Sequence, residues 1–235
     1  MPDDTTSLRE QVLTACHGLA AYGLGSGIGG HVSIRVPGEE RYWVNVLDRS
    51  FEEMTLDDII MLDFEGNVIE AGRTVSPGIG FHPGIYRLRP DTAGAVVHTH
   101  GYWITAQSAF NRPPRTFHNL ATYFHGRTAV APDDEIESIA PALKDEDVAI
   151  VIPWHGAITI GSDIGEAAAL HVTFDYVARL DVQMAGTDAE PMPDEHGRAI
   201  QKLLGKANYL ELTWDLMRRK AERAHDGQVV VPALA

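Results

Sequence analysis

From Thr6 to Tyr22 the apolar positions Leu8, Val12, Cys16, Leu19 and Ala20 recur at the spacing of one helix face, and Thr6 or Ser7 offers an N-cap. Five glycines between Gly23 and Gly30 end that helix in a tight loop. The period then drops to two. His31–Val36 alternates as a strand, Pro37-Gly38 turns the chain, and Tyr42–Val46 runs back as a second strand. A short capped turn at Thr55–Asp58 leads into a third strand, Ile59–Asp63, and Glu65-Gly66-Asn67 reads as a hairpin turn. Phe81–Arg89 is helical in pattern and Pro90 stops it. The continuous apolar run Ala95-Val96-Val97 predicts a buried strand reaching His100, with a helix over Tyr102–Phe110 after it. Asp133–Leu143 reads as a helix with acidic residues in its first turn, where the macrodipole favours them. A strand at Val148–Ile152, a short strand at Ala157–Ile160 and a long helix over Asp163–Met184 follow. Pro191-Met192-Pro193 breaks the pattern, and His196–His225 holds one or two further helices. Runs of strands flanked by helices predict an α/β fold of three layers, α/β/α, around a mostly antiparallel sheet.

The 235 residues form no repeat and no linker, so a single domain spanning 1–235 is expected, with a helical tail from about residue 194. A net charge of −14 offers no basic surface for nucleic acid or an anionic membrane, so neither is expected as a partner. The lone Cys16 lies on the first helix face and is expected as a buried thiol in a reducing compartment. No leader and no bilayer-length apolar run is visible, which predicts a cytoplasmic protein with a small-molecule substrate.

The chemistry concentrates in Val97-His98-Thr99-His100. Side chains two apart on a strand share a face, so His98 and His100 project together from the end of a buried strand. Pro153-Trp154-His155-Gly156 places a third imidazole in the same setting, after the strand ending at Ile152. Three imidazoles leave coordination positions open, as catalytic rather than structural metal sites do. Zinc, manganese and iron all suit such ligands, and the sequence does not choose between them.

Gly30-His31-Val32-Ser33-Ile34-Arg35, Met54-Thr55 through Asp63-Phe64-Glu65-Gly66, His82 with Ile85-Tyr86 and Arg89-Pro90-Asp91, Val97-His98-Thr99-His100, and His155-Gly156 before Asp163-Ile164-Gly165-Glu166-Ala167 follow one another as in a known family. The chain resembles the class II aldolase/adducin family from about Leu8 to Met184. The resemblance implies the three-layer fold, a divalent metal on His98, His100 and His155, and a homotetramer with active sites at subunit borders. It also makes Tyr209 a candidate catalytic residue reaching a neighbouring subunit's site.

Two departures from the family pattern carry weight. Its sugar-phosphate aldolases hold an acid/base carboxylate a few residues before the position of His82, where this chain has Gly78 in Ser76-Pro77-Gly78. Glycine moves no proton. The phosphate-binding Gly-Asn-x-Ser becomes Gly30-His31-Val32-Ser33, and Asp48 stands near its Thr-Gly pair, where a carboxylate repels phosphate. His31 either serves the pocket, as proton donor with an ordinary pKa of about 6.5 or as carboxylate anchor, or merely closes the glycine loop. Ser33, Ser76, Gly78, Tyr102 and Trp103 are candidate substrate contacts, with core packing the other reading of Trp103. Arg35 either binds a substrate carboxylate or pairs with Glu52 or Glu53. His82 reads as structural, and His118 and His125 as loop histidines. The expected function is a metal-dependent carbon–carbon lyase, a decarboxylase of an unphosphorylated, possibly aromatic hydroxy-carboxylate. The alternatives are a keto-acid aldolase, a non-haem iron oxygenase cleaving a carbon–carbon bond, and an adducin-like interaction module without catalysis.

Overall fold

A computed structural model describes residues 4–25, 27–69 and 73–225. The chain opens with helix α1 (Asp4–Ala20), then strands β1 (His31–Arg35), β2 (Arg41–Asn45) and β3 (Ile59–Asp63). Helix α2 (Phe81–Leu88), strand β4 (Ala95–Thr99) and helix α3 (Tyr102–Ser108) follow, then β5 (Thr128–Val130), α4 (Ile136–Ile139), β6 (Ala149–Ile152) and β7 (Gly156–Gly161). Helices α5 (Ile164–Met184), α6 (Asp194–Leu204) and α7 (Tyr209–His225) complete the described chain.

The strands form one sheet in the order β3-β2-β1-β4-β7-β6-β5. Every neighbouring pair is antiparallel except β5 and β6, which run parallel. Two antiparallel steps separate β4 from β6, so β4, β5 and β6 all point the same way. Their C-terminal ends share one sheet edge with the start of β1, and His31 there lies opposite His98. The alternation of side chains divides the two layers. Ser33 faces α2 through bonds to His82 and Tyr86, whereas Thr99 faces α5 through His171. Helices α1 and α5 cover that second face.

The tail helix α7 docks on this second layer. Met217 is fully buried in close contact with Gly18 of α1, and Trp214 lies so near Gly165 of α5 that a side chain there would force it to shift. Cys16 is buried, and burial pushes its thiol above the usual range. No helix among the described residues is long and apolar enough to cross a membrane.

Three sequence expectations change. Helix α1 already begins at Asp4, so Thr6 and Ser7 lie inside it. The helix expected over Asp133–Leu143 shrinks to α4. Asp133 accepts a hydrogen bond from the Glu135 N–H, which holds the acidic run in a turn, and Pro141 lacks the N–H that a longer helix needs. Strand β5 is an addition that three residues of pattern do not announce.

Candidate metal centre

His98 follows the apolar run Ala95-Val96-Val97 as the penultimate residue of β4, and the whole strand is buried. Its Nδ1–H donates to the Ala157 carbonyl at 3.0 Å, so its Nε2 carries a lone pair. That atom lies 2.9 Å from Nε2 of His100. His155 closes the group. One ligand atom from each of the three imidazoles lies within 4.8 Å of those from the other two. The β6–β7 turn aims His155 with its own backbone: Trp154 takes a left-handed φ of 57°, and the Thr105 hydroxyl donates to the His155 carbonyl at 3.2 Å. Gly156 is obligatory behind the triad. A side chain there would stand 2.5 Å from the Thr99 carbonyl oxygen and 3.3 Å from the His98 and His100 rings.

The electrostatics suit a cation. Burial, then the neighbouring imidazoles, hold His98 well below the ordinary histidine value, and the same causes lower His100 less. A metal needs the neutral ring, and burial supplies it. The donor set contains no thiolate, and His100 and His155 are only partly buried, which leaves room for an exogenous ligand. These three residues fit a divalent ion with open positions.

Buried polar networks brace both sides. Beneath the strand, Thr159 gives its proton to the Ala167 carbonyl at 2.9 Å and so accepts from His171 Nδ1–H at 3.0 Å. His171 Nε2 then accepts from Thr99 at 2.8 Å. Above it, His31 Nδ1 meets His82 Nε2 at 3.1 Å, His82 Nδ1 meets Ser33 Oγ at 2.6 Å, and Ser33 Oγ meets the Tyr86 hydroxyl at 2.6 Å. The His31 ring sits 5.0 Å from that of His98, so its remaining nitrogen, Nε2, is the one left for a ligand.

The structure brings His31, His98, His100 and His155 together and separates other sequence candidates from them. Ser33 lies beneath His31 and acts on it through His82. Arg35 is four residues along β1, about 13 Å from the triad end at ~3.3 Å per residue. It donates to the Pro90 carbonyl and covers Phe64, bonding neither Glu52 nor Glu53. Tyr102 is 76% exposed beside the triad loop, while Trp103 packs half-buried under the Arg179 guanidinium. Tyr209 lies 6.4 Å from the Tyr123 ring, with no ring contact or hydrogen bond to the triad among the described residues.

Two expectations about charge also change. His31 is buried, and desolvation, then His82, His100 and His155, hold it well below the ordinary histidine value, which favours the uncharged ring. The Asp48 loop is balanced rather than acidic. Arg73 reaches both Asp48, at 3.8 Å, and buried Asp58, which Arg49 also approaches at 4.0 Å. The sequence reading missed the Tyr86 end of the buried chain, and it missed Asp134, whose carboxylate lies over Gly78.

Such a fold, with imidazoles clustered at one sheet edge, defines a class II aldolase-like protein. The chain belongs to the class II aldolase and adducin family, whose N-terminal domain model matches residues 10–182. It is similar to the L-fuculose phosphate aldolase of Escherichia coli O6:H1, at 28% identity over 84% of this chain and 93% of that protein. It is similar to the decarboxylase NovR of Streptomyces niveus, at 28% identity over 77% of this chain and 69% of that one. Among solved structures it matches the L-fuculose 1-phosphate aldolase of Glaciozyma antarctica PI12 with a TM-score of 0.86 and 25% identity, over 96% of this chain and 92% of that one.

Proposed function

We propose that this protein is a metal-dependent carbon–carbon lyase that decarboxylates an unphosphorylated hydroxy-carboxylate, with His98, His100 and His155 holding the ion. The observation that carries the reading is the convergence of these three imidazoles at an open sheet edge beside His31. A divalent ion in such a site supplies Lewis acidity to oxygens that gain charge as a carbon–carbon bond breaks. His31 anchors the substrate: with Nδ1 committed to His82, its Nε2 hydrogen-bonds a carboxylate where phosphate-binding relatives carry the Asn of Gly-Asn-x-Ser. Tyr102, two residues beyond His100, offers its exposed ring to a planar group of the substrate, and Ser76, whose Oγ lies 4.0 Å from where a side chain on Gly78 would begin, is a further substrate contact.

A second reading, retro-aldol cleavage of a keto acid, is favoured by one observation. This reaction needs a base for the substrate hydroxyl, and Asp134 places a carboxylate over Gly78. Assembly as a tetramer, with Tyr209 reaching a neighbouring site, belongs to the same proposal, and light scattering tests it.

The protein is reconstituted in turn with zinc, manganese and iron and assayed on hydroxy-carboxylates, keto acids and sugar phosphates. Release of carbon dioxide, with no aldehyde, is the expected outcome. Aldehyde release selects the second reading. Sugar-phosphate cleavage faster than that of any hydroxy-carboxylate refutes both. Oxygen consumption confined to the iron form makes the protein an oxygenase instead.

A further inference from the structure

We propose that Asp134, delivered by the loop after β5, is the proton-transferring carboxylate of the histidine-triad site. The inference deepens the lyase reading and rests on it. A Cβ added to Gly78 would stand 2.8 Å from Asp134 Oδ2, 3.8 Å from its Cγ and 4.0 Å from Ser76 Oγ. Asp134 thus fills, from a different part of the chain, the space a side chain at position 78 would occupy. Asp134 also lies near enough to His100, a triad member, for their charges to interact.

The placement is built into the fold. β5 runs parallel to β6 and ends at the sheet edge where His98, His100 and His155 gather. Two residues beyond Asp134, Ile136 packs so tightly on Gly84 that no side chain fits at position 84, which pins the loop to α2. Adjacent Asp133 performs the structural task, accepting from the Glu135 N–H at 3.1 Å. No hydrogen bond or ion pair among the described residues engages the carboxylate of Asp134, and it is half-buried. A carboxylate held in place by its loop yet unspent on structure is available to a substrate. It takes the proton of the substrate hydroxyl as the O–H bond breaks. The electron pair of the broken carbon–carbon bond stays on the retained carbon, and the same proton returns to it. In decarboxylation one further proton from water restores the hydroxyl.

The test uses Asp134→Asn and Asp134→Ala in the full chain. Turnover of the best substrate falls about 10²–10⁴-fold in Asp134→Asn, with metal content unchanged. Asp134→Ala combined with Gly78→Glu, which returns a carboxylate from the other side, recovers at least tenfold. A second readout does not depend on turnover. Acetohydroxamic acid binds the cobalt-substituted protein as its anion, and calorimetry in two buffers counts the proton lost. In the wild type Asp134 keeps that proton and none reaches the buffer; in Asp134→Asn one does. Equal proton counts in the two proteins, or no binding to the wild type, overturns the proposal, as does full turnover of Asp134→Asn. If the wild type cleaves nothing in the panel, the lyase reading fails, and the proton count still decides for Asp134. Should Asp134→Asn not fold, Gly78→Ala, which displaces the carboxylate, carries the same two measurements, and unchanged values there overturn the proposal.

Discussion

Replacing Ser33 with Ala removes one oxygen that two fully buried partners share, His82 Nδ1 and the Tyr86 hydroxyl, each at 2.6 Å. A buried polar group left without its partner costs about 1–3 kcal/mol. Tyr86 also touches the Val96 backbone, so its hydroxyl keeps a partner and the larger share falls on His82. A loss of about 2–4 kcal/mol follows for Ser33→Ala. Tyr86→Phe leaves the Ser33–His82 bond standing and costs about 1 kcal/mol. In the double variant the Ser33–Tyr86 bond is already gone, so the second change adds little. The cycle should therefore show a coupling of roughly 1 kcal/mol. At this chain length 1 kcal/mol moves Tm by about 2–4 °C, so Ser33→Ala lowers it by roughly 5–15 °C and Tyr86→Phe by roughly 2–4 °C. Scanning calorimetry on metal-free protein at one fixed concentration reads these values. A Ser33→Ala protein melting within about 1 °C of the parent, or a double variant losing the full sum, would falsify the assignment of a continuous buried chain.

His98→Ala and His100→Ala should each fold yet lose the roughly one divalent ion per chain expected of the parent; full metal content by mass spectrometry in His100→Ala removes the metal assignment. His31→Gln should raise KM by about tenfold or more, the worth of a hydrogen bond to a charged group, and change kcat less; a fall in kcat at constant KM returns proton transfer to His31. Acid should destabilise the metal-free protein because burial holds His171 at about 3 while the unfolded chain titrates at the ordinary histidine value of about 6.5. Between those values only the unfolded state takes that proton, so stability is full above about 6.5 and falls by about 1.4 kcal/mol per pH unit toward 3. His171→Gln should flatten this limb by that amount, and an unchanged slope in urea titrations across pH contradicts the burial account.

The histidine cluster was legible because its members lie just beyond uninterrupted apolar runs. Val96-Val97 before His98 and Ile150-Val151-Ile152 before Pro153-Trp154-His155 mark strands whose ends must lie at a sheet edge. The layers were legible from the same kind of pattern: helix spacing over Thr6–Tyr22, period two over His31–Val36, then continuous apolar strands alternating with helices. Arg35 was misplaced because periodicity gives a strand's faces but not which end meets the site. The chain from His31 to Tyr86 joins residues about fifty positions apart in sequence, beyond any local pattern. Asp134 was hidden by a true rule wrongly placed. Acidic residues before apolar ones do mark helix starts, but Pro141 and the Asp133 turn leave only one helical turn for the rule to act on.

β5 is one of the two edge strands of the sheet, joined to a single neighbour over three residues, yet it carries the loop that brings Asp134 over Gly78. The histidines come instead from β4 and from the β6–β7 turn, strands flanked on both sides. Rigidity and adjustability are therefore lodged in separate parts of one scaffold. An engineer can exchange the peripheral loop, lengthening it or moving its acid by a residue, without unpicking the framework that orients the imidazoles. In this architecture the carboxylate over Gly78 is a replaceable module on the margin of the sheet that holds the histidines.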